Sequence, residues 1–421
     1  MTAKPSSHIH LLGICGTGMA ALAGILKELG HRVSGSDEHV YPPMSTFLQG
    51  LGIPIQNGYQ PENLEPRPDL VVVGNVIRRE NPEAQAVEEL NLPRVSLPEA
   101  LNRFLVGSRQ SLVVAGTHGK TTTTALLAWL LSATGQDPGF MVGGLAKNFA
   151  SNYRVGQGSH VVLEGDEYDT AYFDKTPKFV HFNPQVAILT SVEFDHADIY
   201  QDLDKVVAAF HSFLVRMPPT SRVVAWGDAP LVRQVCEKSA CPVILYGLED
   251  GAAWRAADIS PAPGGMHFTV HREGQKWGEF CTPLLGTHNV LNSLAALAAA
   301  AQVGLTPEEL AAALQTFQGV KRRLETVGEF RGITVLDDFA HHPTAVAATL
   351  AAVRQGYPGR RLVAVFEPRT NTSRRAIFQE PYAQAFGAAD LIVLREPPDL
   401  WKAPEGDRFS SAQLAADLTA Q

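Results

Sequence analysis

Cysteine is scarce: the 421 residues hold four, Cys15, Cys236, Cys241 and Cys281, none spaced as a metal-binding or redox pair. No disulfide framework is indicated, and reduced thiols in a cytosol are the expectation. Charge of one sign is also thin. Lys plus Arg number 35 against 43 Asp plus Glu, a formal net charge of −8, and no Lys/Arg block interrupts that balance. Nucleic acid is therefore not an expected partner. No apolar run approaches a membrane span, and the strand-like run over 8–14 meets glycine too soon to serve as a signal peptide. A cytoplasmic chain without a membrane partner is expected. Repeats and low-complexity segments are lacking too. What remains, 45% hydrophobic and 19% charged, is the composition of a soluble globular chain with core enough for several domains.

What is present begins with a buried-strand pattern at 111–115 that runs into Gly116-Thr117-His118-Gly119-Lys120-Thr121-Thr122. Glycines let backbone N–H groups close on phosphate oxygens, the Lys120 ammonium reaches the terminal phosphates, and the Thr121 hydroxyl can ligate Mg2+. A helix starting here would add its positive dipole end. The first glycine of the usual phosphate loop is replaced by Val114, so this is a shorter variant. A strand-to-helix turn without a ligand is the plain alternative, but it gives no packing reason for a lysine at the helix start.

Three stretches of different texture suggest three domains, 1–107, 108–320 and 321–421. The first opens with a strand over 9–12, the turn Gly13-Ile14-Cys15-Gly16-Thr17-Gly18, an apolar helix over 20–29 and a second strand that delivers Asp37. This βαβ pattern places glycines for a pyrophosphate and an acid for ribose hydroxyls. The spacing Gly-x-x-Gly-x-Gly favours another diphosphate ligand over NAD. A strand over 70–73 runs into Gly74-Asn75, where the same ligand could continue, while 61–68 and 91–98 read as surface loops.

In the second stretch, one strand ends in Glu164-Gly165-Asp166-Glu167 and another in Glu193-Phe194-Asp195-His196. Carboxylates and an imidazole at strand ends beside a phosphate loop are where Mg2+ must be held, so Glu164 and His196 are candidate ligands with Thr121. Helix capping and loop solvation would explain some of these acids equally well. Asn289 and Asn292, three apart at a helix start, face one way and could read an adenine edge, although isolated asparagines there are more often caps. The third stretch carries Arg322-Arg323, then Asp337-Asp338-Phe339-Ala340-His341-His342-Pro343, then Arg369 and Arg374 after another strand. Alternating strands and alanine-rich helices predict an α/β fold with largely parallel sheets.

Taken together, Gly-Thr-His-Gly-Lys-Thr-Thr at 116–122, Phe-Asp-His at 194–196, His-Asn-x-x-Asn at 288–292, Arg-Arg at 322–323 and Asp-Asp-x-x-His-His-Pro at 337–343 resemble the Mur ligases, in that family's order and across essentially the whole chain. The resemblance implies three domains: a Rossmann-like UDP-sugar domain, a P-loop-like ATP domain and a Rossmann-like peptide domain. It implies ATP and Mg2+ as cofactors, and amide formation through an acyl phosphate. The opening glycine turn and the Asp-Asp box look like the branch acting on UDP-N-acetylmuramate. The segments 163–175, 191–200 and 366–372 resemble the kind that adds the murein tripeptide L-alanyl-γ-D-glutamyl-meso-diaminopimelate, in peptidoglycan recycling. The alternatives are the kind that adds L-alanine and an inactive relative that only binds UDP-muramate.

By that resemblance Lys120, His196 and Arg323 are catalytic, and Gly116, Thr117, His118, Gly119, Lys120, Thr121, Thr122, Asn292, Arg323 and Asp338 hold ATP. Thr121, Glu164 and His196 hold metal, and Gly16, Gly18, Asp37 and Asn75 line the UDP-sugar site. Arg369 and Arg374 are assigned to peptide carboxylates by charge alone, with a solvated face as the rival account. A monomer or weak homo-oligomer is expected. Two departures from the family pattern stand out. Lys205 is too early to take the place of the carbamylated lysine of several Mur ligases, and the third domain reads as shortened at Gln421. A nicotinamide oxidoreductase built on the first unit would leave Lys120, Thr121 and the acid cluster without a task.

Overall fold

Runs such as Leu70–Val73, apolar at every position and bounded by polar turns, bury both faces and so become central strands of a parallel sheet. The computed structural model, which describes residues 6–397 and 399–420, puts that run in a five-stranded parallel sheet. Its order is Ile55–Asn57, Arg32–Asp37, His8–Leu12, Leu70–Val73 and Arg94–Ser96. Strand order reverses between His8–Leu12 and Leu70–Val73, so the turns after both, at 13–18 and 74–77, open at the switch point where ligands of such sheets bind. The helix Thr17–Glu28 starts three residues earlier than its pattern predicts. The loops expected at 61–68 and 91–98 are in part regular: Pro61–Leu64 is a 3-10 turn and Arg94–Ser96 is the edge strand. Three residues are too short for periodicity to register.

The central unit is a ten-stranded sheet. In order its strands are Gln275–Thr282, Gly265–Arg272, Trp254–Ala262, Val243–Gly247, Arg222–Trp226, Val186–Leu189, Gln110–Ala115, His160–Glu164, Gly139–Ala146 and Ser151–Arg154. Six consecutive pairings from Trp254–Ala262 to Gly139–Ala146 are parallel, whereas both ends of the sheet are antiparallel. The meander over 254–282 turns at Glu273-Gly274, both at positive φ (50° and 77°), which suits the right-handed twist of a hairpin. The helices Lys120–Ala133 and Thr287–Gln302 cover one face of the sheet, packing against each other with the valines and leucines beneath them.

In the third unit, the hairpin Glu325–Phe330 with Ile333–Asp337 precedes a parallel pair, Val363–Phe366 with Leu391–Leu394. Helices Pro343–Gly356, Gln379–Ala385 and Ser411–Ala420 bury Phe366, Tyr382, Phe386 and Phe409 against that pair. No helix among the described residues is long and apolar enough to cross a membrane.

Candidate active site

Register decides what surrounds the phosphate loop. Gln110–Ala115 lies between His160–Glu164 and Val186–Leu189, with Val114 beside Glu164 and Ala115 beside Leu189. All three strands run the same way, so their carboxyl ends deliver the loop, the Glu164–Glu167 run and the 191–196 run to one rim. The loop itself depends on glycine. Gly116 has φ +132° and a Cβ there would stand 2.2 Å from Thr190 Oγ1, while Gly119 has φ +80° and its Cβ would stand 2.4 Å from Asn292 Oδ1.

Lys120 Nζ donates to the Gly116 carbonyl at 2.6 Å and to Glu167 Oε1 at 3.0 Å. Burial would push its pKa down, but Glu167, with Asp166 behind it, holds it above the ordinary lysine value, so the ammonium stays charged. Thr121 Oγ1 donates to Glu164 Oε1 at 2.9 Å, and the Gly143 N–H donates to Glu164 Oε2 at 2.7 Å. Burial raises the pKa of Glu164 despite these donors. Arg323 reaches Thr121 Oγ1 at 3.3 Å and lies over the Phe339 ring. It is flanked by Arg322 and Leu324, both at positive φ (58° and 46°), a strained junction at the entry to the third unit.

His196 also has positive φ, 56°, and packs against the Tyr168 ring. Its Nε2 lies 3.0 Å from Glu167 Oε1. Burial opposes its protonation, yet Glu167 and Asp195 raise its pKa. Glu167 thus joins Lys120 to His196, a role the sequence reading did not assign, although the Glu-Gly-Asp-Glu run marked the place. Asn292 Oδ1 accepts from Thr123 at 3.2 Å and its Nδ2 donates to Asn289 at 3.1 Å, so the two asparagines do share a face. Asp338 accepts from the backbone N–H of Leu324 at 2.6 Å and of Ala340 at 2.7 Å, pinning its carboxylate at the cleft.

Thr117, His118, Gly119, Lys120, Thr121, Thr122, Glu164, His196, Asn292, Arg323 and Asp338 all line one cleft of about 440 Å³, whereas Gly116 does not line it and reaches it only through its carbonyl bond to Lys120. Trp226 and Tyr246 also line it, two aromatic walls that no motif signalled. A second cleft of about 320 Å³ is lined by Gly16, Gly18 and Asn75 together with Met141 and Lys178 from the central unit. Asp37 stands behind its glycine turn, accepting from the Cys15 N–H at 2.9 Å and the His39 N–H at 3.1 Å. Glu164, Asp166 and Tyr168 line both clefts.

The two arginines assigned by charge part company. Arg369 is exposed, whereas Arg374 is buried, 3.8 Å from Asp399, and neither lines these clefts. For Arg374 the solvated-face account is thereby excluded. Between them Asn371 donates to Asp198 at 2.9 Å and the Thr372 hydroxyl accepts from the Ala197 N–H at 3.2 Å, docking the third unit on the loop that carries His196. Lys205, at the start of helix Leu203–Arg216, is exposed.

A relative from Escherichia coli (strain K12), UDP-N-acetylmuramate–L-alanyl-gamma-D-glutamyl-meso-2,6-diaminoheptandioate ligase, is 44% identical over 399 residues, spanning 94% of this chain and 87% of its own. UDP-N-acetylmuramate–L-alanine ligase of Delftia acidovorans is 37% identical over 94% of this chain and 83% of its own. The crystal structure of a murein peptide ligase from Psychrobacter arcticus 273-4 superimposes with a TM-score of 0.76 at 37% identity, covering 99% of this chain and 88% of that one. Family models match in sequence order: the Mur ligase family catalytic domain at 8–109, the Mur ligase middle domain at 114–300 and the Mur ligase glutamate ligase domain at 322–420. A phosphate loop set between two acid-bearing strands, shared along nearly the whole length of these relatives, makes this chain a member of the Mur ligase family.

Proposed function

We propose that this chain is an ATP-dependent ligase that joins L-alanyl-γ-D-glutamyl-meso-diaminopimelate to UDP-N-acetylmuramate, returning a recovered peptide to cell-wall synthesis in the cytoplasm. The observation that carries the reading is the junction of the two clefts at Glu164, Asp166 and Tyr168. A UDP-sugar in the second cleft, beside Gly16, Gly18 and Asn75, would thread its lactyl carboxylate toward that junction, where the terminal phosphate of ATP held by the loop arrives from the other side. Higher identity to the tripeptide ligase (44%) than to the alanine ligase (37%) supports the choice of acceptor.

In this reading Lys120 and Arg323 neutralise charge on the transferring phosphoryl group, and the acyl phosphate that results presents an activated carbonyl to the peptide amine. Activation is required because a carboxylate resists attack by an amine. Asn292 with Asn289 would read the adenine edge between Trp226 and Tyr246, and Asp338 would take the ribose. Glu167 keeps Lys120 charged and aimed at the loop before nucleotide arrives. Thr121 and Glu164 present a hydroxyl and a buried carboxylate side by side, a hard-oxygen pair that fits Mg2+, whereas His196 would join them only by turning from Glu167. Bound there, Mg2+ would screen the phosphates and polarise the phosphoryl group.

The test is phosphate release from ATP and Mg2+ with UDP-N-acetylmuramate, comparing the tripeptide with L-alanine and identifying the product by mass. Product with the tripeptide is expected. Product with L-alanine alone would move the chain to the other branch, and no product with either would leave only a binding role.

A further inference from the structure

In one cluster of the nucleotide cleft only His118 has a task in that scheme, as part of the phosphate loop, while Glu193 and His342 have none. His118 comes from the phosphate loop, Glu193 from the loop after Val186–Leu189, and His342 is the residue that caps helix Pro343–Gly356 in the third unit. His118 Nε2 lies 3.6 Å from Glu193 Oε2, and His342 Nδ1 lies 3.7 Å from the same oxygen. The ligand atoms of the three residues all lie within 4.8 Å of one another. Those separations exceed a hydrogen bond. His118 Nε2 is in fact buried without a hydrogen-bond partner.

The protons are accounted for on His342. Its Nδ1 accepts the Thr344 N–H at 3.3 Å, and its Nε2 faces the Phe194 carbonyl at 3.3 Å, so the network assigns the hydrogen to Nε2. The Thr344 N–H takes the single Nδ1 lone pair through a long bond, so no proton lies between Nδ1 and the Glu193 oxygen 3.7 Å away. The group left without any partner is His118 Nε2, beside the same oxygen, and a cation held among the three side chains would satisfy it. Tetrahedral bonds of about 2.0–2.2 Å separate neighbouring ligand atoms by about 3.3–3.6 Å. An ammonium donating at about 2.9 Å would need its acceptors about 4.7 Å apart. The observed 3.6 and 3.7 Å lie close to the metal values and well short of the amine's, and the third separation, between the two imidazoles, is within 4.8 Å.

We propose that His118, Glu193 and His342 form a transition-metal site, separate from the Thr121–Glu164 pair, with a fourth position open to the cleft. Two imidazoles and one carboxylate select a borderline cation such as Zn2+ or Co2+ over Mg2+. The supports expected around such ligands are present. The Thr344 hydroxyl donates to Glu193 Oε2 at 2.7 Å, and the Phe194 carbonyl orients His342. Because His342 belongs to the third unit and the other two ligands to the central one, a bound ion would also fasten the third unit against the phosphate loop.

The experiment is Co2+ titration of the full chain after chelation, in excess Mg2+ to fill the hard-oxygen site, reading the visible band of tetrahedral Co2+. One equivalent should bind with that band and be displaced by Zn2+. Glu193→Gln, which preserves shape, and His342→Ala should each weaken binding by at least about 10–100-fold. Glu164→Gln should keep the band. Circular dichroism checks the fold of each variant, and if His342→Ala fails to fold, Glu193→Gln decides. Absence of the band in the parent chain, its survival in a folded Glu193→Gln variant, or its loss in a folded Glu164→Gln variant would overturn the site.

Discussion

Lys120 answers two demands at one atom: it must stay charged while buried, and it must be free to leave its partner for a phosphate. Glu167 meets the first, at 2.9–3.0 Å, and the carbonyls of Gly116 and Thr117 meet the rest of its donor capacity. Lys120→Ala is expected to cost phosphate release at least about 10²–10³-fold, as loss of one charge-stabilising donor does. Binding of UDP-N-acetylmuramate, measured by calorimetry, should persist because Gly16, Gly18 and Asn75 lie in the other cleft. Gly119 carries a different constraint. Gly119→Ala places a methyl 2.4 Å from Asn292 Oδ1 at φ +80°, and should destabilise the central unit by about 1–3 kcal/mol and weaken ATP binding, both readable by thermal shift with and without nucleotide. The residue types of this loop were legible in sequence because phosphate chemistry restricts them. Glu167's partnership was not, since four acids in six residues offer no local sign of which one turns inward.

Elements succeed or fail on their caps and their register. Asn81 caps helix Pro82–Glu89 by accepting from the N–H groups of Glu83 and Ala84, both at 3.0 Å. That cap also seats Glu83, fully buried, to accept from Ser36 at 2.9 Å and to meet His10 Nε2 at 2.7 Å beneath the UDP-sugar turn. Asn81→Ala should therefore cost about 1 kcal/mol or somewhat more, seen as earlier unfolding of the first unit in denaturant. Strands over 70–73 and 111–115 were legible because continuous apolar runs can only be buried strands there. The edge strand Arg94–Ser96 was not, being short and half polar, and the antiparallel ends of the central sheet depend on pairings that no local pattern specifies.

At the scale of the whole molecule, the third unit meets the central one through ionisable groups. His342 is faced by His118, Glu193 and Asp195, with the Phe194 carbonyl on its far edge. Burial, then the neighbouring His118, lower its pKa from 6.5 to about 4. Between those values the unfolded chain binds the extra proton and the folded chain does not. Stability is then fully present above about pH 6.5 and is lost as pH falls toward 4, by about 3 kcal/mol. Glu193 acts in a lower window: burial opposes its ionisation, but His118 and Thr344 bring its pKa down from 4.5 to about 2. Thermal unfolding of the chelated chain from pH 7 to pH 4.5 should show the histidine's loss, and His342→Asn should flatten the profile.

By itself the sequence determined the chemistry: a glycine loop with Lys120 and Thr121, acids and histidine at strand ends, and family motifs in an order that left few folds open. Such signals are local, because phosphate and Mg2+ accept few side-chain types at fixed spacing. Only the tertiary structure decided which groups meet across distance. It joined His196 to Glu167, brought Trp226 and Tyr246 to the cleft, buried Arg374 away from it, and set His342 opposite His118 and Glu193. Those meetings follow from sheet order and domain docking, where residues tens to hundreds of positions apart are placed by packing and carry no trace of it in their own neighbourhoods.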